Sequence, residues 1–338
     1  MITAIKLQKP FAIQVTETTL PVCTEDDVLV EVKYVGLCGT DLSSYRGKMP
    51  LVSYPRIPGH EVSGTIVDTG SRVPASYQKG LSVTINPYTS CGQCPACRQQ
   101  RYNTCQRNET LGVQRDGALQ QYLKVPYTKV LISALPLETL VLTEPLSVGY
   151  HACSRAEIIP GDSVIVIGCG MIGIGVILSA LDKGARVIAL DTDDKKLQLV
   201  SSFGNVETVN PHQDDPIART LALTRQEGGA VVIEAVGSPL TYQWALAMAS
   251  YAGRVVCIGY SAEAAALETS LIVRKELTVL GSRNVLDEFG PVLERLGSGQ
   301  WPVAHLISGI YPIAAAPKAF AYWHEHPQEI IKLLVQVN

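Results

Sequence analysis

Apolar and polar residues alternate along the first part of the chain in short runs, such as Val28-Leu29-Val30-Glu31-Val32-Lys33 and Val62-Ser63-Gly64-Thr65-Ile66-Val67, separated by Gly, Pro and Asp. A period of two predicts half-buried strands, hence a mainly β domain up to about residue 148 with few long helices. From about residue 160 the pattern changes. Short apolar runs at Val164–Ile167, Val187–Leu190, Val206–Val209, Val231–Glu234, Val255–Ile258 and Leu277–Leu280 alternate with helix-length segments. Continuous apolar strands of this kind are buried on both faces, so the alternation predicts a doubly wound parallel sheet covered by helices. After Gly281 the rhythm breaks: Phe289 to Gly297 and Pro317 to Trp323 predict helices, and Ile330 to Val335 a closing strand. The sheet already looks complete without them, so this tail is assigned to the first domain. The expected division is 1–148 with 285–338 against 149–284.

Length and charge agree with a two-domain α/β protein. At roughly 150 residues per domain, 338 residues suggest two, each able to bury a core. A net charge of −3, 17% charged and 46% hydrophobic residues exclude a disordered chain and a basic nucleic-acid binder. The start, Met1-Ile2-Thr3-Ala4-Ile5-Lys6, has no basic region leading into an apolar stretch, so a cytoplasmic location is expected. Val164 to Leu181 runs 18 residues without a charge, the length of a membrane-span candidate. It opens as a β-rich run and holds glycines at 168, 170, 173 and 175, so no membrane association is expected.

Gly168-Cys169-Gly170-Met171-Ile172-Gly173 reads as G-x-G-x-x-G directly after a predicted strand and at the start of an apolar helix. In that context the first glycine permits a tight turn, the second lets the backbone approach a pyrophosphate, and the third lets helix and strand pack closely. The pyrophosphate then lies on free N–H groups at the positive end of the helix dipole. Asp191 ends the next predicted strand, where a carboxylate accepts from both ribose hydroxyls and repels a 2′-phosphate. NAD is expected rather than NADP.

Nine cysteines in a chain without an export signal point to metal before disulfides. Cys91, Cys94, Cys97 and Cys105 fall within fifteen residues, in a loop marked by Ser90, Gly92 and Pro95. Four thiolates complete a tetrahedral zinc site, which is therefore structural; the same four could serve an iron–sulfur cluster, but a nicotinamide motif in the same chain makes hydride chemistry the simpler account.

Two further pieces, Cys38-Gly39-Thr40-Asp41 and Gly59-His60-Glu61, carry ligand types. Taken with the cysteine loop and the nucleotide motif, in that order, they resemble the zinc-dependent medium-chain alcohol dehydrogenases over essentially the whole chain. The resemblance implies a GroES-like catalytic domain followed by a Rossmann domain, two zinc ions per chain and NAD. It implies that Cys38 and His60 hold a catalytic zinc, that Glu61 and Glu144 supply the remaining positions, that Thr40 contacts the substrate hydroxyl, and that Asp41 orients His60. It also implies that Lys196, Val236, Ile258 and Ser282 help bind the nucleotide, and that the protein is a homo-oligomer, dimer or tetramer.

Two departures narrow the branch. Where better-known alcohol dehydrogenases carry a cysteine, this chain reads Thr143-Glu144-Pro145-Leu146-Ser147, as in the sorbitol, threonine and sugar-acid branch. Where their proton relay ends in a histidine, it reads Leu42-Ser43-Ser44-Tyr45-Arg46. Arg283, after the sixth strand, stands where the polyol branch has an arginine facing the substrate, and its candidate partners are a polyol hydroxyl, a substrate carboxylate, Glu144 or a cofactor phosphate. Tyr54 to Gly59 and Leu111 to Gly117 also resemble the sugar-acid and polyol members. The expected substrate is a small polyhydroxy compound: a hexonate of the L-gulonate or L-galactonate type, with a neutral polyol or L-threonine as alternatives. A quinone reductase would lack the four-cysteine loop and the Cys38/His60 pair; a non-enzymatic NAD-binding regulator would have no use for Thr40 beside an open metal site.

Overall fold

The computed structural model describes residues 1–261 and 263–338, and the chain divides into two units, Met1–Glu144 with Phe289–Asn338 and Pro145–Glu288. The divisions fall at 144/145 and 288/289 rather than at 148/149 and 284/285. The helix Thr143–Arg155 runs through the first division, so no break in pattern marks it.

The first unit is built on a seven-stranded, mostly antiparallel sheet. Its long central strand, Asp27–Gly36, pairs antiparallel with Glu61–Thr69 on one side and with Lys332–Gln336 on the other. The C-terminal strand starts at Lys332, two residues later than the apolar run suggests, and lies parallel to Ile307–Pro312. The core of this unit mixes distant pieces of chain, including Ile5, Val30, Val62, Leu119, Phe320 and Val335.

The second unit contains a six-stranded parallel sheet in the spatial order third, second, first, fourth, fifth, sixth, counted along the chain. All six predicted strands are present, and the order reverses beside Ser163–Ile167, the strand that leads into the glycine motif. In such sheets ligands bind at that reversal, outside the carboxyl ends of the strands. Val164 to Leu181 splits into this strand and the helix Met171–Asp182. Among the described residues no helix is long and apolar enough to cross a membrane.

Candidate active site

Cys38 follows the central strand and N-caps the short helix Gly39–Tyr45. Asp41, in the first turn, is 1% exposed. Its carboxylate accepts from the Cys38 N–H at 2.9 Å and from the Gly59 N–H at 3.1 Å. One buried acid thus fastens together the two segments that carry Cys38 and His60. The expected contact of Asp41 with the imidazole is not made: Nδ1 of His60 is buried without a hydrogen-bond partner among the described residues. Burial is the main influence on Asp41 and raises its pKa, although His60 and the two N–H groups work against it.

The stretch Arg56 to Gly59 that leads into His60 is held from the other side by the segment Leu111 to Gly117 and the residues after it. Gly117 N–H donates to Ile57 O at 2.7 Å, Ala118 N–H to Gly59 O at 3.0 Å and Leu119 N–H to Pro58 O at 3.0 Å. Asp116 joins Arg56 and the Ile57 N–H. The two segments singled out by resemblance are therefore one packed substructure.

Cys38, His60 and Glu61 each offer a donor atom, all within 4.8 Å of one another. His60 and Glu61 are buried, and Cys38 is partly so. Burial opposes a charged imidazole, but Cys38, Asp41 and Glu144 outweigh it and raise the pKa of His60 well above the usual histidine value. A concentration of negative donors that more than offsets the burial of an imidazole is a site suited to a cation. A thiolate, an imidazole and a carboxylate are the donors zinc prefers.

Glu61 is fully buried, and the Lys332 ammonium lies 2.6 Å from each of its carboxylate oxygens and 2.9 Å from Leu37 O. Sequence reasoning missed Lys332, although a lone lysine inside the apolar run Ile330-Ile331-Lys332-Leu333-Leu334-Val335 was an available signal. Gly36, opposite Glu61 across the ladder, is required here: a Cβ on it would come within 2.1 Å of Glu61 Oε2.

Glu144 occupies the first turn of its helix and is 3% exposed. Tyr88, buried as well, donates its hydroxyl to Oε1 of Glu144. Burial raises the pKa of both groups, and the Glu144 charge raises Tyr88 further. Glu144 lies outside the tight cluster of Cys38, His60 and Glu61, but is near enough to His60 for each to shift the other. Thr40 lies half-buried in the helix after Cys38, and its carbonyl accepts from the Ser44 hydroxyl at 2.8 Å. Ser44 is thereby tied to the helix backbone, and the stretch to Arg46 supplies no histidine.

The four cysteines of the loop come together as a group that could hold a metal ion. The sulfurs of Cys91, Cys94, Cys97 and Cys105 lie within 4.8 Å of one another, with no disulfide among them. Backbone N–H groups of Cys91 and Arg107 point at the Cys105 sulfur, each at 3.3 Å. The N–H groups of Cys97 and Gln106 lower the pKa of Cys94 to about 6. Such donors stabilise thiolates, the form a metal binds.

In the second unit, Gly168 adopts φ +100° just after its strand. Gly170 caps the following helix, whose first turn holds Met171, Ile172 and Gly173. A Cβ at Gly173 would lie 1.8 Å from Gly168 O, so only glycine fits. Asp191 lies just beyond its strand, which ends at Leu190, rather than within it. Its carboxylate accepts from the Cys169 N–H at 2.7 Å and the Asp193 N–H at 3.0 Å. Lys196 lies in the next helix. Val236 is 51% exposed, whereas Ile258 and Ser282 are buried, and Ser282 Oγ has no hydrogen-bond partner among the described residues. Glu234, also missed in the sequence, accepts from Val236 N–H, Gly237 N–H and the Thr241 hydroxyl and so shapes the loop that presents Val236. Arg283 follows the sixth strand and is half-buried. Thr40, Cys38, His60, Glu61 and Glu144 thus gather in one unit, the nucleotide residues and Arg283 in the other.

Residues 24–136 match the family model for the alcohol dehydrogenase GroES-like domain, and residues 172–298 the model for zinc-binding dehydrogenases. A zinc-type alcohol dehydrogenase-like protein of Haemophilus influenzae is 35% identical over 98% of each chain. L-galactonate-5-dehydrogenase of Escherichia coli K12 is 31% identical over 96% of each chain. The solved structure of an alcohol dehydrogenase from E. coli CFT073, complexed with NADH, superposes with a TM-score of 0.93 at 27% identity over 99% of each chain. The chain belongs to the zinc-dependent medium-chain alcohol dehydrogenases. Within them it falls in the polyol and sugar-acid branch, as an NAD-dependent, zinc-containing dehydrogenase acting on CH–OH groups.

Proposed function

We propose that this dehydrogenase oxidises a secondary hydroxyl of a hexonate, of the L-gulonate or L-galactonate type, to a ketone. The observation that carries this reading is Glu144: a carboxylate held by the Tyr88 hydroxyl beside His60 makes the metal pocket polar, suited to a hydroxyl-rich substrate. The 31% identity to an L-galactonate-5-dehydrogenase supports the acid form.

When bound, zinc supplies a Lewis acid that acidifies a hydroxyl, as it lowers the pKa of bound water to about 7, and NAD supplies the hydride acceptor. Cys38 and His60 would hold the metal, with Glu61 or Glu144 as the carboxylate donor. Thr40 accepts the substrate's hydroxyl proton at Oγ1 and passes it outward. Arg283 pairs its guanidinium with the substrate carboxylate, a charge-assisted contact that a neutral polyol does not offer. Gly168 makes the turn and Gly173 lets helix and strand pack, so that Gly170, Met171 and Ile172 present the helix N-terminus to the pyrophosphate; Asp191 takes the ribose hydroxyls, and Lys196, Val236, Ile258 and Ser282 border the cofactor. The working form in this reading is a cytoplasmic homo-oligomer.

Initial rates with NAD over matched aldonates, polyols and L-threonine test it. The highest kcat/KM is expected on a hexonate; a higher value on sorbitol or L-threonine would replace the substrate assignment.

A further inference from the structure

Tyr88 sits between the two metal sites along the chain and is fixed from both sides. Before it, Asn86 N–H donates to Lys129 O at 2.8 Å, and Asn86 Oδ1 accepts the Tyr88 N–H at 3.1 Å. Pro87 O accepts from Leu111 N–H at 3.1 Å. After it, the Thr89 N–H donates to Asn108 Oδ1 at 3.1 Å, and the Thr89 hydroxyl accepts the Glu109 N–H at 2.7 Å. Asn108 and Glu109 lie just beyond Cys105, so the exit of the four-cysteine loop helps clamp the backbone at Tyr88. The phenol reaches from this fixed backbone to Oε1 of Glu144, 56 residues away in sequence. Oε2 of Glu144 accepts no hydrogen bond from the described residues and is not among the enclosed polar atoms that lack a partner, so it borders accessible space although the residue as a whole is almost wholly buried. A carboxylate with one oxygen held by a phenol and the other open to a cavity beside metal-ligand residues is placed to meet a group the chain itself does not supply.

We propose that Tyr88 is a positioning residue of the catalytic metal site: its hydroxyl pins Oε1 of Glu144 and leaves Oε2 as the oxygen that serves the metal or a water bound to it. This rests on the reading that Glu144 serves the metal of Cys38 and His60. Glu61 is presented differently, with both of its oxygens on the Lys332 ammonium. The two carboxylates are therefore not equivalent. A neutral phenol holds Glu144 by one oxygen, whereas a cation competes with the metal for both oxygens of Glu61.

The test replaces the labile zinc with cobalt(II) in the full-length protein and reads visible d–d absorption without substrate. Wild type, Tyr88→Phe, Glu144→Gln and the double variant are compared. Tyr88→Phe is expected to alter the bands and to speed cobalt loss to a chelator about tenfold, the scale of one hydrogen bond to a charged group. On the Glu144→Gln background the same change should add nothing, because no carboxylate is left to hold. With substrate, kcat should fall while KM for NAD stays put. Wild-type bands in Tyr88→Phe, or an equal effect of Tyr88→Phe with and without Glu144, would overturn the proposal. So would metal loss from the four-cysteine site or a lost fold, since the phenyl ring preserves the packing. Because the cobalt bands need no substrate, a protein that oxidises no hexonate yet shows the expected spectra would refute only the substrate reading.

Discussion

Lys332 grips Glu61 by both carboxylate oxygens at 2.6 Å and gives its remaining contact to the Leu37 carbonyl at 2.9 Å. Leu37 precedes Cys38 and Glu61 follows His60, so one ammonium from the C-terminal strand braces both segments that carry metal ligands. Burial lowers the pKa of this lysine, but the Glu61 and Cys38 charges more than offset that and raise it.

Removing one partner of a buried pair leaves the other charge uncompensated, which typically costs about 3–5 kcal/mol. Lys332→Met should lose stability on that scale in urea denaturation of the zinc-loaded protein, and Lys332→Arg much less. A Lys332→Met protein as stable as wild type would show that Glu61 is neutralised by some other group.

The chain should bind two zinc ions of unequal lability. Four cysteines close one site, whereas the Cys38 and His60 site keeps an open position for the substrate. Brief chelation should abolish activity and release about one zinc per chain while circular dichroism stays native. Metal analysis finding a single zinc in fully loaded protein contradicts this.

Asp191 should set the cofactor preference. Its oxygens already accept from Cys169 and Asp193, which aims the carboxylate at the glycine loop. Asp191→Ser should weaken NAD binding, both by losing the ribose contacts and by loosening that loop, and should relieve repulsion of the NADP 2′-phosphate. Equal kcat/KM for NAD and NADP in the wild type would remove Asp191 from this role.

If the substrate is a hexonate, Arg283→Ala should cost about 1.5–3 kcal/mol of transition-state binding, the range for a hydrogen bond to a charged group. The loss should fall mainly on acidic substrates. Comparing kcat/KM for matched acid and alcohol pairs in wild type and variant measures it, and an unchanged ratio would take Arg283 out of substrate recognition.

What the sequence determined by itself is what depends on neighbours along the chain. Gly168-Cys169-Gly170-Met171-Ile172-Gly173 could be read because a turn and a helix start are local, and the four-cysteine loop because its ligands fall within fifteen residues. The inner apolar strands, such as Ser163–Ile167 and Arg186–Leu190, could be read because a strand buried on both faces has no polar period to hide it. The tertiary structure alone decided which group each buried polar side chain meets. Asp41 could be placed beside the metal segments by resemblance, but its partners proved to be backbone N–H groups, one of them 18 residues away. Tyr88 meets Glu144 across 56 residues, and Lys332 meets Glu61 across 271. The last pairing follows from sheet register: Gly36 faces Leu334 on one side and Glu61 on the other, and its missing side chain leaves the space in which the Glu61 carboxylate and the Lys332 ammonium meet. Register between strands so far apart in sequence is fixed by how the whole sheet buries its apolar face, a condition on many residues at once that no local spacing records.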